Sequence, residues 1–163
     1  MKPLLLFFIC LIIFHTGYAL EEITGKVVSV IDGNTIEVKS GDNEVHQIVL
    51  KEIDCPELTQ EFGEDAKKYL EKIILNKKVT VSIQGKDRWG NRLAIVLING
   101  NVDPRVALLK EGLAWTSEKN PNPDLEPYRS TAQQKGKGLW QQENPTPPWT
   151  YRRQQTMLQP KSS

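Results

Sequence analysis

The chain has 163 residues, with 21 basic and 20 acidic side chains, 39% hydrophobic residues and two cysteines. That length suits one domain with a real hydrophobic core. The balance of charge excludes the broad basic footprint by which many nucleic-acid binders collect phosphates, leaving only a local patch open.

The N-terminus reads as an export signal. Lys2 precedes an uncharged apolar run from Leu4 to Phe14, and Gly17-Tyr18-Ala19 follows where a signal peptidase would cut. The run is too short to span a bilayer, and the alternative is an uncleaved N-terminal anchor. A signal over residues 1–19 predicts a periplasmic or extracellular protein. Cleavage leaves Cys55 as the one cysteine, so no internal disulfide is expected. The remaining charge is uneven: residues 130–163 carry net +4, and residues 20–129 carry net −4.

After the signal, Thr24–Lys39 reads as two β-rich runs around Asp32-Gly33-Asn34, the pattern of a hairpin. Gly41-Asp42-Asn43 is a second turn, and Val45–Ile53 is a third predicted strand, ended by Asp54-Cys55-Pro56-Glu57. Gln60–Leu75 predicts a helix with Phe62, Ala66, Tyr69, Leu70, Ile73 and Ile74 on one stripe. Val79–Ile83 and Leu93–Ile98 are two further strands, joined through the turn Asp87-Arg88-Trp89-Gly90-Asn91. Asp103 followed by Pro104 starts a second helix that Gly112 ends. A third helix is predicted from about Leu125 to Lys135. Pro145–Arg153 reads as an extended strap, and residues 153–163 as a flexible basic tail. Five strands with about three helices predict an α+β fold, a five-stranded OB-like barrel with helical additions over residues 20–152. No internal repeat is present, and a monomer is expected.

Four segments occur in an informative order. They are Ile31-Asp32-Gly33-Asn34-Thr35, Ile53-Asp54-Cys55-Pro56-Glu57, Asp87 through Ala94, and Lys110-Glu111-Gly112-Leu113-Ala114-Trp115. Together they resemble the thermonuclease (staphylococcal nuclease-like) family over roughly residues 23–152, and Gly138-Leu139-Trp140 and Pro147-Pro148-Trp149 resemble the close of its bacterial members. The resemblance implies a calcium-dependent phosphodiesterase acting on DNA and RNA. Such chemistry needs oxygen ligands for a hard cation, a base for water and cationic donors for the developing charge on phosphorus.

Carried over by position, the resemblance makes Asp54 a metal ligand, the Cys55 carbonyl a second, and Glu57 the general base. It also marks departures. Asn34 stands where the family has a third, carboxylate ligand, which weakens any calcium site. Val49 and Asn91 stand at the family's two arginine positions. Lys51 and Arg92 lie close by in sequence and are candidate substrate contacts: Lys51 offers a point charge from the face of Val49, and Arg92 a guanidinium next to Asn91, though one expected to point away if Asn91 is extended. Arg88 and Trp89 match the family's basic-aromatic pair, while Thr116-Ser117-Glu118-Lys119 replaces its phosphate-contacting tyrosines.

Each survivor also has a plain structural reading. Asp32-Gly33-Asn34 is good turn chemistry in any protein, and Asp54-Cys55-Pro56-Glu57 reads equally as a strand exit with Glu57 capping a helix. Trp89 reads as an anchor of the barrel rim or as a platform for a base. The sequence therefore predicts a catalytically impaired module that binds nucleic acid, another anionic ligand or a protein. The alternative is a weak or rewired metal-dependent endonuclease using Asp54 and Glu57.

Overall fold

A computed structural model describes residues 21–158, so the export signal expected over residues 1–19 lies outside the described residues. β1 (Glu22–Val30) and β2 (Thr35–Ser40) form the expected hairpin about Asp32-Gly33-Asn34, and β3 (Val45–Leu50) follows the second turn. β5 (Lys78–Lys86) and β6 (Arg92–Ile98) pair antiparallel and close the sheet, β5 onto β1 and β6, in parallel, onto β3. The result is a closed five-stranded barrel in the order β1-β2-β3-β6-β5. Alternation along each strand turns Val27, Ile36, Val38, Ile48, Leu50, Val81 and Val96 fully inward.

The helices cover the barrel. α1 (Gly63–Ile74) buries Ala66, Leu70 and Ile74, the stripe read from its sequence. α2 (Pro104–Lys110) is capped by the Asp103 side chain, which accepts from the Arg105 N–H at 2.9 Å. α3 (Glu126–Gln134) docks beside it, and a 3₁₀ turn (Gly138–Gln141) buries Leu139 and Trp140. Among the described residues no helix is long and apolar enough to cross a membrane.

Two expectations are corrected. The third strand does not run to Ile53. The chain turns at Lys51-Glu52, where Glu52 adopts a left-handed φ of 72°, and β4 (Ile53–Asp54) leaves the barrel to pair with β7 (Trp115–Thr116). Lys51 thus sits in a turn rather than on the strand face of Val49. The C-terminal strap is not extended either: α4 (Pro148–Leu158) is an 11-residue helix that continues past Arg153. Pro148 stands at its first position, where a missing N–H costs nothing, and no glycine or proline interrupts the residues that follow.

Candidate nucleic-acid cleft

A groove of about 710 Å³ opens where the first hairpin turn, the β3–β4 turn, the Asp87–Asn91 turn and α4 converge. Asn34, Val49, Lys51, Asp54, Glu57, Trp89 and Asn91 all line it. The fold therefore gathers residues that are spread over the sequence onto one surface. Arg92 is not among them. It begins β6 one residue after Asn91, and the pleat sends it to the opposite side, where its Nη1 bonds His46 Nδ1 and its Nη2 lies 3.9 Å from Glu21. A role for Arg92 in this cleft is not supported by its position.

Close packing sets the first turn against β4. A Cβ on Gly33 would stand 2.6 Å from Cys55 Cβ and 2.8 Å from Ala66 Cβ, so only glycine lets the turn approach. That approach lets Cys55 Sγ donate to the Gly33 carbonyl at 3.2 Å and the Cys55 N–H donate to Asn34 Oδ1 at 3.4 Å. Cys55 is buried, and burial pushes its thiol well above the ordinary range, so it is a packing residue rather than a nucleophile.

The turn at Lys51-Glu52 is fixed from beneath by Arg105. Arg105 is 6% exposed. It bonds Asp103 Oδ2 at 2.7 Å, Glu52 Oε2 at 2.7 Å and the Lys51 carbonyl at 3.3 Å. Asn122 Nδ2 donates to the same Glu52 oxygen at 2.9 Å. Burial works against the charge on Arg105, and its two carboxylate partners outweigh that penalty, keeping it protonated. The network holds the strained Glu52 backbone and aims β4, with Asp54, into the cleft. Sequence reading missed it; an arginine two residues after a capping aspartate was its only local trace.

The structure also shows what Val49 and Asn91 do. Val49 pairs with Thr35 on β2 and Leu93 on β6, presenting an apolar wall to the groove. Asn91 closes its turn: its side-chain amide donates to Asp87 Oδ2 at 2.8 Å and its N–H to Asp87 Oδ1 at 2.9 Å. Neither offers a cationic donor. Trp89 is 68% exposed at the lip, with the Arg88 guanidinium 4.0 Å over its ring, so it is no rim anchor.

Cationic donors come from an unexpected place. Arg152 of α4 reaches into the cleft and forks onto Asp54, Nη1 to Oδ1 at 3.1 Å and Nη2 to Oδ2 at 2.7 Å. The same Nη1 donates to Glu57 Oε1 at 2.7 Å. Burial pushes the Asp54 carboxyl up, and the Arg152 hydrogen bonds pull against it. Both carboxylates in turn hold Arg152 firmly protonated. Glu57 caps no helix; its N–H is taken by Gln60 Oε1 at 2.9 Å.

The donors in the cleft suit a hard cation in kind. Asp54 and the Asn34 amide oxygen line the groove and offer only oxygen, as calcium requires, whereas Cys55, whose carbonyl the resemblance adds to the set, is not among the lining residues. Arg152 already pairs with the one carboxylate of the set. A second group, Asp42, Glu44 and His46, brings potential ligand atoms within 4.8 Å of one another at the β2–β3 turn. There Ser40 and Arg92 already occupy both ring nitrogens of His46.

A closed barrel with this covering of helices, and a carboxylate-bearing cleft at its β3–β4 rim, defines a nuclease-like scaffold. The family model described as staphylococcal nuclease homologue matches residues 47–142, more than half of the chain, and the chain belongs to that family. An Escherichia coli O157:H7 protein named "Uncharacterized endonuclease" is 34% identical over 151 residues, covering 92% of this chain and 95% of that one. A Haemophilus influenzae protein of the same name is 35% identical over 136 residues, covering 83% and 76%. The "Micrococcal nuclease" of Shigella flexneri is 29% identical over 150 residues, with 83% of each chain covered.

Proposed function

We propose that this chain is a nucleic-acid-binding member of the family whose cleft hydrolyses phosphodiesters slowly or not at all. The observation that carries this reading is the replacement of both family arginine positions by an apolar wall, Val49, and a turn-closing amide, Asn91. Transition-state charge on phosphorus then has Lys51, a point charge without a fork, and Arg152, whose guanidinium is already committed to Asp54 and Glu57. Removing a single such donor typically costs about 10²–10³ in rate. Binding is supported by Trp89, an exposed platform on which a base can stack, backed by the Arg88 charge.

A second reading is favoured by one observation, that Asp54 and Glu57 face the same groove. In it the protein is a weak or rewired endonuclease. A divalent cation held by Asp54, Asn34 and the Cys55 carbonyl would supply positive charge to a phosphodiester oxygen. Glu57 would take the proton of an attacking water, and Lys51 would face the phosphate. Export through the secretory route to the periplasm or medium belongs to the same proposal and rests on the Leu4–Phe14 run with Gly17-Tyr18-Ala19 after it.

Fluorescence anisotropy with a short single-stranded DNA in EDTA tests the binding reading. The protein should bind, more weakly as salt rises, and Trp89→Ala should lose about 5- to 100-fold in affinity, the range of one base–aromatic stack. Absence of binding at low salt, or an unchanged Trp89→Ala, would overturn it.

A further inference from the structure

We propose that Arg152 and a divalent cation are alternative occupants of the Asp54–Glu57 pair, so that α4 caps the cleft with a cation of its own. This rests on reading Asp54 as the carboxylate that faces a cation, and on nothing about catalysis.

The geometry argues for exclusion. Arg152 spans both oxygens of Asp54 and one of Glu57. A metal ligated by Asp54 would sit at roughly 2.3–2.6 Å from those same oxygens, beside a guanidinium of like charge. The two cannot share the carboxylate without strong repulsion. Among the described residues, Asp54 and Glu57 are the only acidic partners of Arg152, so the contact is not incidental to a larger network.

Charge tilts the competition. Because Asn34 is neutral, Asp54 and Glu57 bring two negative charges to the pair, and Arg152 already offsets one of them. A carboxylate at position 34 would add a third charge and favour the dication. The replacement at Asn34 and the insertion of Arg152 therefore act in the same direction.

The exchange is mechanically easy. α4 is anchored without Arg152: Pro148 is buried, the Trp149 ring lies edge-on to Trp115 at 5.7 Å, and the Tyr151 hydroxyl bonds Thr59 Oγ1 at 2.8 Å. The Arg152 side chain is 44% exposed on a flexible stem, so it can swing into solvent while the helix stays docked.

Calorimetric titration of calcium into the purified protein and its variants tests the idea. Arg152→Gln should bind calcium about tenfold or more tightly than the parent, Arg152→Lys should fall between them, and adding Asp54→Asn to Arg152→Gln should erase the gain. Equal calcium affinity in the parent and Arg152→Gln, including no binding by either, would overturn the proposal. Circular dichroism checks that each variant folds, and Arg152→Lys repeats the comparison with the charge kept. Anisotropy with single-stranded DNA in EDTA on the same proteins keeps the two readings apart: a calcium gain without DNA binding sinks only the nucleic-acid reading, and DNA binding without a calcium gain sinks only the exchange.

Discussion

Arg105 is the residue on which the cleft's geometry most depends, although it never faces the cleft. It compensates two carboxylates and a backbone carbonyl beneath the β3–β4 turn. Arg105→Ala should destabilise the protein by about 2–3 kcal/mol, because it leaves Asp103 and Glu52, both only partly exposed, without their cationic partner. Urea denaturation measures it, and a loss below about 1 kcal/mol would show that the network is solvated instead. Glu126 gives a pH-dependent counterpart. The Arg129 guanidinium, with help from the Thr116 hydroxyl, holds its carboxyl below the ordinary value of 4.5. Its folded-state pKa is thus the lower one, so its contribution is present in full above the ordinary value and fades as pH falls through the folded value. Glu126→Gln should cost less than about 1 kcal/mol at neutral pH, since both partners are partly exposed. Melting curves should show that gap closing as the pH drops below 4.5, and a gap independent of pH would contradict the assignment.

At the scale of elements, the sequence was most readable where local chemistry decides. Asp103-Pro104 named the start of α2, and Ala66, Leu70 and Ile74 named the buried face of α1. It was least readable where tertiary contacts decide. Nothing near Lys51-Glu52 signals a left-handed turn, because Arg105 and Asn122 impose it from far along the chain. The proline-rich stretch Pro145–Arg153 suggested an extended strap, yet proline also opens helices, and the docking of Trp149 against Trp115 favours the helix. α4 is held on the body by Trp149 against Trp115 and by Tyr151 against Thr59, beside the Arg152 ion pairs. Trp149→Ala should therefore cost about 1–2 kcal/mol, below the 3–5 of a fully buried tryptophan, because its ring is half-buried and its pairing is edge-on. Chemical denaturation reads the loss, and a neutral outcome would mean that α4 is held elsewhere.

For the whole molecule, the scaffold was legible and the cleft only half so. Alternating strands, turn residues and four ordered segments pointed to the barrel, and the barrel is there. Substitution by position identified Asn34, Val49 and Asn91 as departures, and the structure gives the last two other work, as a wall and a turn closure. The cation that does enter the cleft could not be read from sequence, because Arg152 lies 98 residues from Asp54 and only α4's packing brings it back. The central proposal is that a nuclease scaffold persists here without arginines at the two positions, 49 and 91, where the resemblance places the family's phosphate-stabilising donors. Cleavage of single-stranded DNA in millimolar calcium tests it most directly, on the protein as it stands and on Asn34→Asp/Val49→Arg/Asn91→Arg. We expect little or no cleavage by the former and a gain of at least about 10²-fold in the latter, the scale of one restored donor. Rapid calcium-dependent cleavage by the unaltered protein, abolished in Glu57→Gln, would contradict the account.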